Sequence, residues 1–131
     1  MKRIVLFILL ICIGSCASGS TDMSIIDVDA KEAYELIYSH KNDLIILDIR
    51  TESEYIDGHI NGAINIDFYS KDFREKLSKL DREKTYLLYC RTGNMSSKAI
   101  SDFRELGFKK IYHLYNGISE WYNKGLPVYK N

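Results

Sequence analysis

Two unbroken apolar runs organise the chain: Leu44-Ile45-Ile46-Leu47, ending at Asp48, and Tyr86-Leu87-Leu88-Tyr89, ending at Cys90. Runs without alternation fit strands buried on both faces of a parallel sheet. Ile25-Ile26, Ala63 to Ile66 and Lys110 to Leu114 predict three further short strands. Between the strands the apolar period changes. Ala33, Leu36 and Ile37 follow helical spacing behind Asp27 or Asp29, with Glu32 placed for a capping box on Asp29. Phe73, Leu77 and Leu80 mark a helix over 71–80, with Ser70 as its cap. Ala99, Ile100, Phe103 and Leu106 mark another, with Ser96 and Ser97 as caps and Gly107 at its end. Ile118 to Lys124 predicts a last helix, stopped by Gly125. Strands alternating with helices in this way predict an α/β fold with a parallel sheet. Its ligands collect at the carboxyl ends of the strands, where Cys90 lies.

The first apolar run has a different meaning. Lys2 and Arg3 precede ten apolar residues, Ile4 to Ile13, followed by the small residues Gly14 and Ser15. A membrane-spanning helix needs ~20 apolar residues, so this is the layout of a secretory signal. Ile13-Gly14-Ser15-Cys16 resembles the lipobox of bacterial lipoproteins, in which the cysteine is diacylated after cleavage. The expectation is a signal peptide over 1–15, a flexible tether over 16–24 built from small polar residues, and one domain over 25–130. The protein is then exported and anchored through Cys16 on the periplasmic or outer face of a bacterial membrane. Loss of Lys2 and Arg3 leaves 16 of the 18 basic residues against 18 acidic ones. That balance offers no footprint for nucleic acid.

Processing also settles the thiols. Of three cysteines, Cys12 leaves with the signal and Cys16 is acylated, so Cys90 stands alone. It opens the polar, glycine-containing stretch Cys90-Arg91-Thr92-Gly93-Asn94-Met95-Ser96-Ser97 between a buried strand and a helix. Backbone N–H groups and the positive end of a helix dipole converge at such a position, and both favour a thiolate. A structural cysteine would more often continue into apolar surroundings.

The motifs in sequence resemble those of the rhodanese-like family. Asp48-Ile49-Arg50, Glu54-Tyr55 and Gly58-His59-Ile60-Asn61-Gly62-Ala63 match the family's D-x-R, E-[YF] and G-H-I-x-G-A pattern in order and spacing. The Tyr89 to Asn94 loop is the second motif. Leu114, Asn116-Gly117-Ile118, Trp121 and Gly125-Leu126-Pro127-Val128 form the third. The resemblance covers Ile25 to Lys130. It implies a three-layer domain, with a five-stranded parallel sheet and helices on both faces.

The resemblance also implies sulfur transfer. The Cys90 thiolate would attack the sulfane sulfur of thiosulfate or a related small anionic donor. The resulting persulfide would pass its sulfur to cyanide or a thiol, without a metal or organic cofactor. Loop amides from Arg91 to Ser96 are the expected anion donors, which makes Arg91, Thr92, Gly93, Asn94, Met95 and Ser96 the substrate-binding set. Gly93 permits a conformation with positive φ. Met95 stands where the family often has a second arginine, which weakens the case for tight thiosulfate binding. Asp48, Arg50, Glu54 and His59 are implied to form a structural polar cluster near the site, since buried charges need partners. Trp121 and the tyrosines read as core and rim.

Other chemistries fit the residues less well. A cysteine phosphatase needs an arginine six residues after the nucleophile, and that position is Ser96. Arsenate reduction benefits from resolving cysteines, which processing removes. His40 and His113 have no ligand-spaced partners, so no metal is expected. The alternative to an enzyme is a catalytically weak binding module that keeps the fold and holds an anion or a protein partner.

Overall fold

The computed structural model describes residues 22–131. The expected signal peptide and the lipidation residue Cys16 lie outside the described residues. Ten elements follow in order: β1 (Ser24–Val28), α1 (Ala30–Ser39), β2 (Leu44–Asp48), α2 (Glu52–Asp57), β3 (Ile64–Asn65), α3 (Phe73–Ser78), β4 (Thr85–Tyr89), α4 (Asn94–Glu105), β5 (Lys110–Leu114) and α5 (Gly117–Asn123). The five strands form one sheet in the order β1-β5-β4-β2-β3, and every pairing is parallel. This is the expected α/β fold.

Side-chain alternation along the strands divides the core into two layers. Leu47, Tyr86, Leu88, Cys90 and Ile111 face one side, where they pack with Phe73 and Leu77 of α3 and Ala99 and Phe103 of α4. Ile46, Leu87, Tyr89 and Leu114 face the other side, against Ala33 of α1 and Ile118 and Trp121 of α5. Apolar side chains on both faces explain why β2 and β4 read as continuous runs. Cys90 continues the parity of Tyr86 and Leu88. It therefore leaves β4 on the α3/α4 face.

Three local expectations need correction. The domain begins before residue 25, because Met23 is buried in the core and Ser24 opens β1, so the tether over 16–24 does not extend to its expected end. Ser70 does not cap α3: that helix starts at Phe73 behind Asp72, and the Ser70 hydroxyl instead bonds the Asp72 side chain. Ser96 and Ser97 do not cap α4, which begins at Asn94 behind Gly93; the Ser97 hydroxyl donates back to the Gly93 carbonyl, and the Ser96 hydroxyl lies 3.2 Å from the same oxygen. The helix α2 was not anticipated. It buries no residue and so carries no apolar stripe, and a Thr51/Glu54 capping box starts it. The capping box on α1 is the expected one, Asp29 with Glu32.

Candidate active site

Cys90 lies at the carboxyl end of β4, the middle strand of the sheet, and is 3% exposed. The loop after it folds back so that two N–H groups point at the sulfur: Gly93 N is 3.2 Å and Ser96 N is 3.4 Å from Sγ. The Ser96 hydroxyl is 3.3 Å away. Two glycines make this curvature possible. Gly93 has φ +94°, and a Cβ there would lie 1.9 Å from the Tyr115 carbonyl oxygen. Gly117 has φ +66°, and its Cβ would lie 2.2 Å from the Arg91 carbonyl oxygen. Both approaches exclude a side chain.

The outward-facing carbonyls of the loop are held from behind by α5. Ile118 N donates to the Cys90 carbonyl and Ser119 N to the Arg91 carbonyl, each at 3.0 Å. With its carbonyls engaged there, the loop turns amides inward. That polarity suits an anion on the sulfur.

A cavity of about 330 Å³ opens over the sulfur, lined by Ile49, Arg50, Glu54, Tyr69, Cys90, Arg91, Thr92, Asn94 and Met95. Its size suits a small molecule. Arg91, Thr92, Asn94 and Met95 of the expected binding set line it, whereas Gly93 and Ser96 sit behind the sulfur. Met95 does not extend a charge into the space; its Sδ accepts from the Tyr69 hydroxyl at 3.2 Å.

Arg91 is exposed at the rim, and its Nε and Nη2 donate to Glu54 Oε1 at 2.9 and 2.6 Å. Glu54 also accepts from the Thr51 amide and hydroxyl. Burial would raise the Glu54 carboxyl, but the hydrogen bonds from Arg91 and Thr51 outweigh it and hold it below its ordinary value. The expected cluster of four therefore divides. Glu54 belongs to the mouth of the cavity rather than to the buried pair.

Asp48 and Arg50 form that pair. Arg50 Nη2 lies 2.6 Å from Asp48 Oδ2 and 2.7 Å from the Gly58 carbonyl, and Nε reaches both Asp48 oxygens at 3.0 and 3.1 Å. Burial lowers the Arg50 guanidinium, and the Asp48 carboxylate more than offsets that, so its pKa stays above the ordinary arginine value. His59 stands apart from the pair, stacked on Tyr55 at 3.9 Å with Nδ1 2.8 Å from the Tyr55 carbonyl. These contacts hold the 58–63 turn against α2. Trp121 is core, 1% exposed, with Nε1 donating to the Pro127 carbonyl.

Sequence reasoning missed His113 and Asp27. His113 is 4% exposed, and its ring spans from the Ser96 hydroxyl to Asp27. The available signal was register: a parallel neighbour of β4 carries a histidine on the same parity as its inward residue Ile111.

A doubly covered parallel sheet that presents an amide-cradled cysteine at the end of its central strand defines a class of cysteine-loop α/β domains. Within that class, residues 29–124 match the rhodanese-like domain, and the chain belongs to the rhodanese-like family. It is 34% identical over 90 residues to the thiosulfate sulfurtransferase GlpE of Coxiella burnetii, covering 69% of this chain and 80% of that protein. It is also 34% identical over 84 residues to the tRNA uridine(34) hydroxylase of Cytophaga hutchinsonii, where the match covers 62% of this chain but 27% of that longer protein. Among solved structures, a rhodanese-related protein of Thermoplasma volcanium superposes with a TM-score of 0.68 at 31% identity, covering 81% of this chain and 99% of that one.

Proposed function

We propose that the protein is a sulfurtransferase that carries a sulfane sulfur from thiosulfate or a related small anionic donor, as a persulfide on Cys90, to cyanide or a thiol. The observation that carries this reading is the pair of loop amides, Gly93 and Ser96, aimed at a buried sulfur beneath an open cavity. The name of the Coxiella relative supports the same donor class. In the first step the thiolate attacks the outer sulfur of thiosulfate, the S–S bond breaks and sulfite departs with its electron pair. In the second step the acceptor takes the outer persulfide sulfur, and the Cys90 thiolate returns. Arg91 draws the anion to the rim, and the amides stabilise charge on sulfur.

Incubation with thiosulfate should add one sulfur to the intact mass, removable by cyanide and absent in Cys90→Ser. Absence of the adduct with every sulfane donor tried would favour the binding-module alternative. Met95 in place of a second cation supports a preference for donors less charged than thiosulfate.

We also propose attachment to the cell envelope through diacylated Cys16, supported by the Lys2-Arg3, Ile4 to Ile13 and Gly14-Ser15-Cys16 layout. Labelled fatty acid should enter the parent and not Cys16→Ala. Equal membrane fractionation of both, without label, would refute the anchor.

A further inference from the structure

The hydrogen bonds around Cys90 continue past the loop. Ile25 and Ile111 both pack on the α3/α4 layer, and strand parity places Asp27 and His113 on that same face. The parallel register sets His113 beside Leu88 on one side and beside Asp27 on the other. Ser96, 0% exposed, comes down from α4 onto the end of this row. The result is a continuous line of polar groups: Cys90 Sγ to Ser96 Oγ 3.3 Å, Ser96 Oγ to His113 Nε2 2.7 Å, and His113 Nδ1 to Asp27 Oδ1 3.1 Å. Its far end is open, because the Asp27 side chain is 65% exposed on the edge strand.

Anion binding by the loop amides does not require this row. The Asp27 carboxylate is acceptor-only and so fixes a hydrogen on Nδ1, which leaves Nε2 as an acceptor. The Ser96 hydroxyl then donates to Nε2, a shorter contact than its 3.2 Å alternative at the Gly93 carbonyl. Its oxygen keeps a lone pair for the Cys90 thiol. The groups that face the ring are Asp27 from β1, Leu88 from β4, Ser96 from α4 and Ile111 along β5 itself. Asp27 is the one carboxylate within ion-pair reach of the ring among the described residues.

We propose that Ser96, His113 and Asp27 form a proton relay that deprotonates Cys90 and reprotonates it between turnovers. The relay rests on Cys90 being the nucleophile proposed above. In the forward step the Cys90 S–H bond breaks and its proton joins Ser96 Oγ, while the Ser96 proton joins His113 Nε2. The products are a thiolate, a serine hydroxyl that donates to it, and an imidazolium opposite the Asp27 carboxylate. No electrons change hands, and the net charge is conserved. The reverse step returns the proton once sulfur has left the persulfide. His113 and Asp27 touch no substrate and act through Ser96, so they are positioning residues.

The test is the rate of iodoacetamide alkylation of Cys90 between pH 5 and 10, followed by peptide mass spectrometry on the full chain without any sulfur donor. His113→Gln, which retains a hydrogen-bonding amide but takes up no proton, should slow alkylation about tenfold at pH 7. The deficit should close around pH 9 to 10, where hydroxide removes the proton directly. Asp27→Asn should shift the rate in the same direction by a smaller factor. A parent-like rate at pH 7 in either folded variant overturns the relay, and so does a loss of equal size at every pH. If His113→Gln fails to fold, Asp27→Asn decides alone, since that side chain lies on the surface. Alkylation involves no sulfur transfer, so this assay and the persulfide assay can fail independently.

Discussion

Two polar assemblies sit at the carboxyl end of this sheet, and they are built on opposite plans. Asp48 and Arg50 close on each other and on the Gly58 carbonyl, all within one short segment from residue 48 to residue 58. The line from Cys90 through Ser96 and His113 to Asp27 joins residues 86 positions apart in the chain at its last link, and it ends in solvent. Among the described residues no buried side-chain nitrogen or oxygen lacks a partner, so both assemblies are satisfied. What differs is where a proton can go. The closed pair holds fixed charge and shapes the turn; in the open line each charge that the proposed proton transfer creates meets a partner, the loop amides at Cys90 and the Asp27 carboxylate at His113.

The comparison breaks most easily at the closed pair. Arg50→Ala leaves Asp48 buried and unpaired and should cost roughly 3–5 kcal/mol in urea unfolding. His113→Gln removes one hydrogen-bonded ring from a line that still holds polar partners and should cost about 1–2 kcal/mol. If the histidine variant were the less stable of the two, the contrast between the assemblies would fail.

The smallest stability effect is expected at the rim. Arg91→Ala removes an exposed pair and should change stability by less than about 1 kcal/mol; under the proposed function it should also raise the KM for the sulfane donor. The folded Glu54 carboxyl lies below its unfolded value, so the Arg91 pair contributes above the unfolded value and loses its contribution as pH falls through the folded one. The stability gap between parent and Arg91→Ala should therefore shrink in acid. A gap that widened in acid would reverse the assigned sign.

Much of this was legible in the residues. The apolar runs of β2 and β4, the cysteine loop and the three family motifs are local patterns, and each is found where its spacing placed it. What escaped was solvent-facing, non-local or set by backbone conformation. The helix α2 has no fully buried residue and only Tyr55 packed against the core, so its Thr51/Glu54 capping box was the main signal for it. Arg91 and Glu54 meet across 37 positions, which moved Glu54 from the expected buried cluster to the cavity mouth. His113 and Asp27 become neighbours only through the β1/β5 register, which no single segment encodes. Ser96 and Ser97 resemble caps, yet Gly93, with its positive φ, starts the helix earlier.

The clasp between the cysteine loop and α5 makes the site depend on distant segments of the chain. Cys90 and Arg91 give their carbonyls to Ile118 and Ser119, Gly93 closes on Tyr115, and the relay ends on β1 at Asp27. The reactive centre thus draws on segments from residue 27 to residue 119, contacts of high sequence separation whose closure costs loop entropy. A partly emerged or partly folded chain holds the thiol without its cradle. Reactivity is therefore acquired as a property of the finished domain.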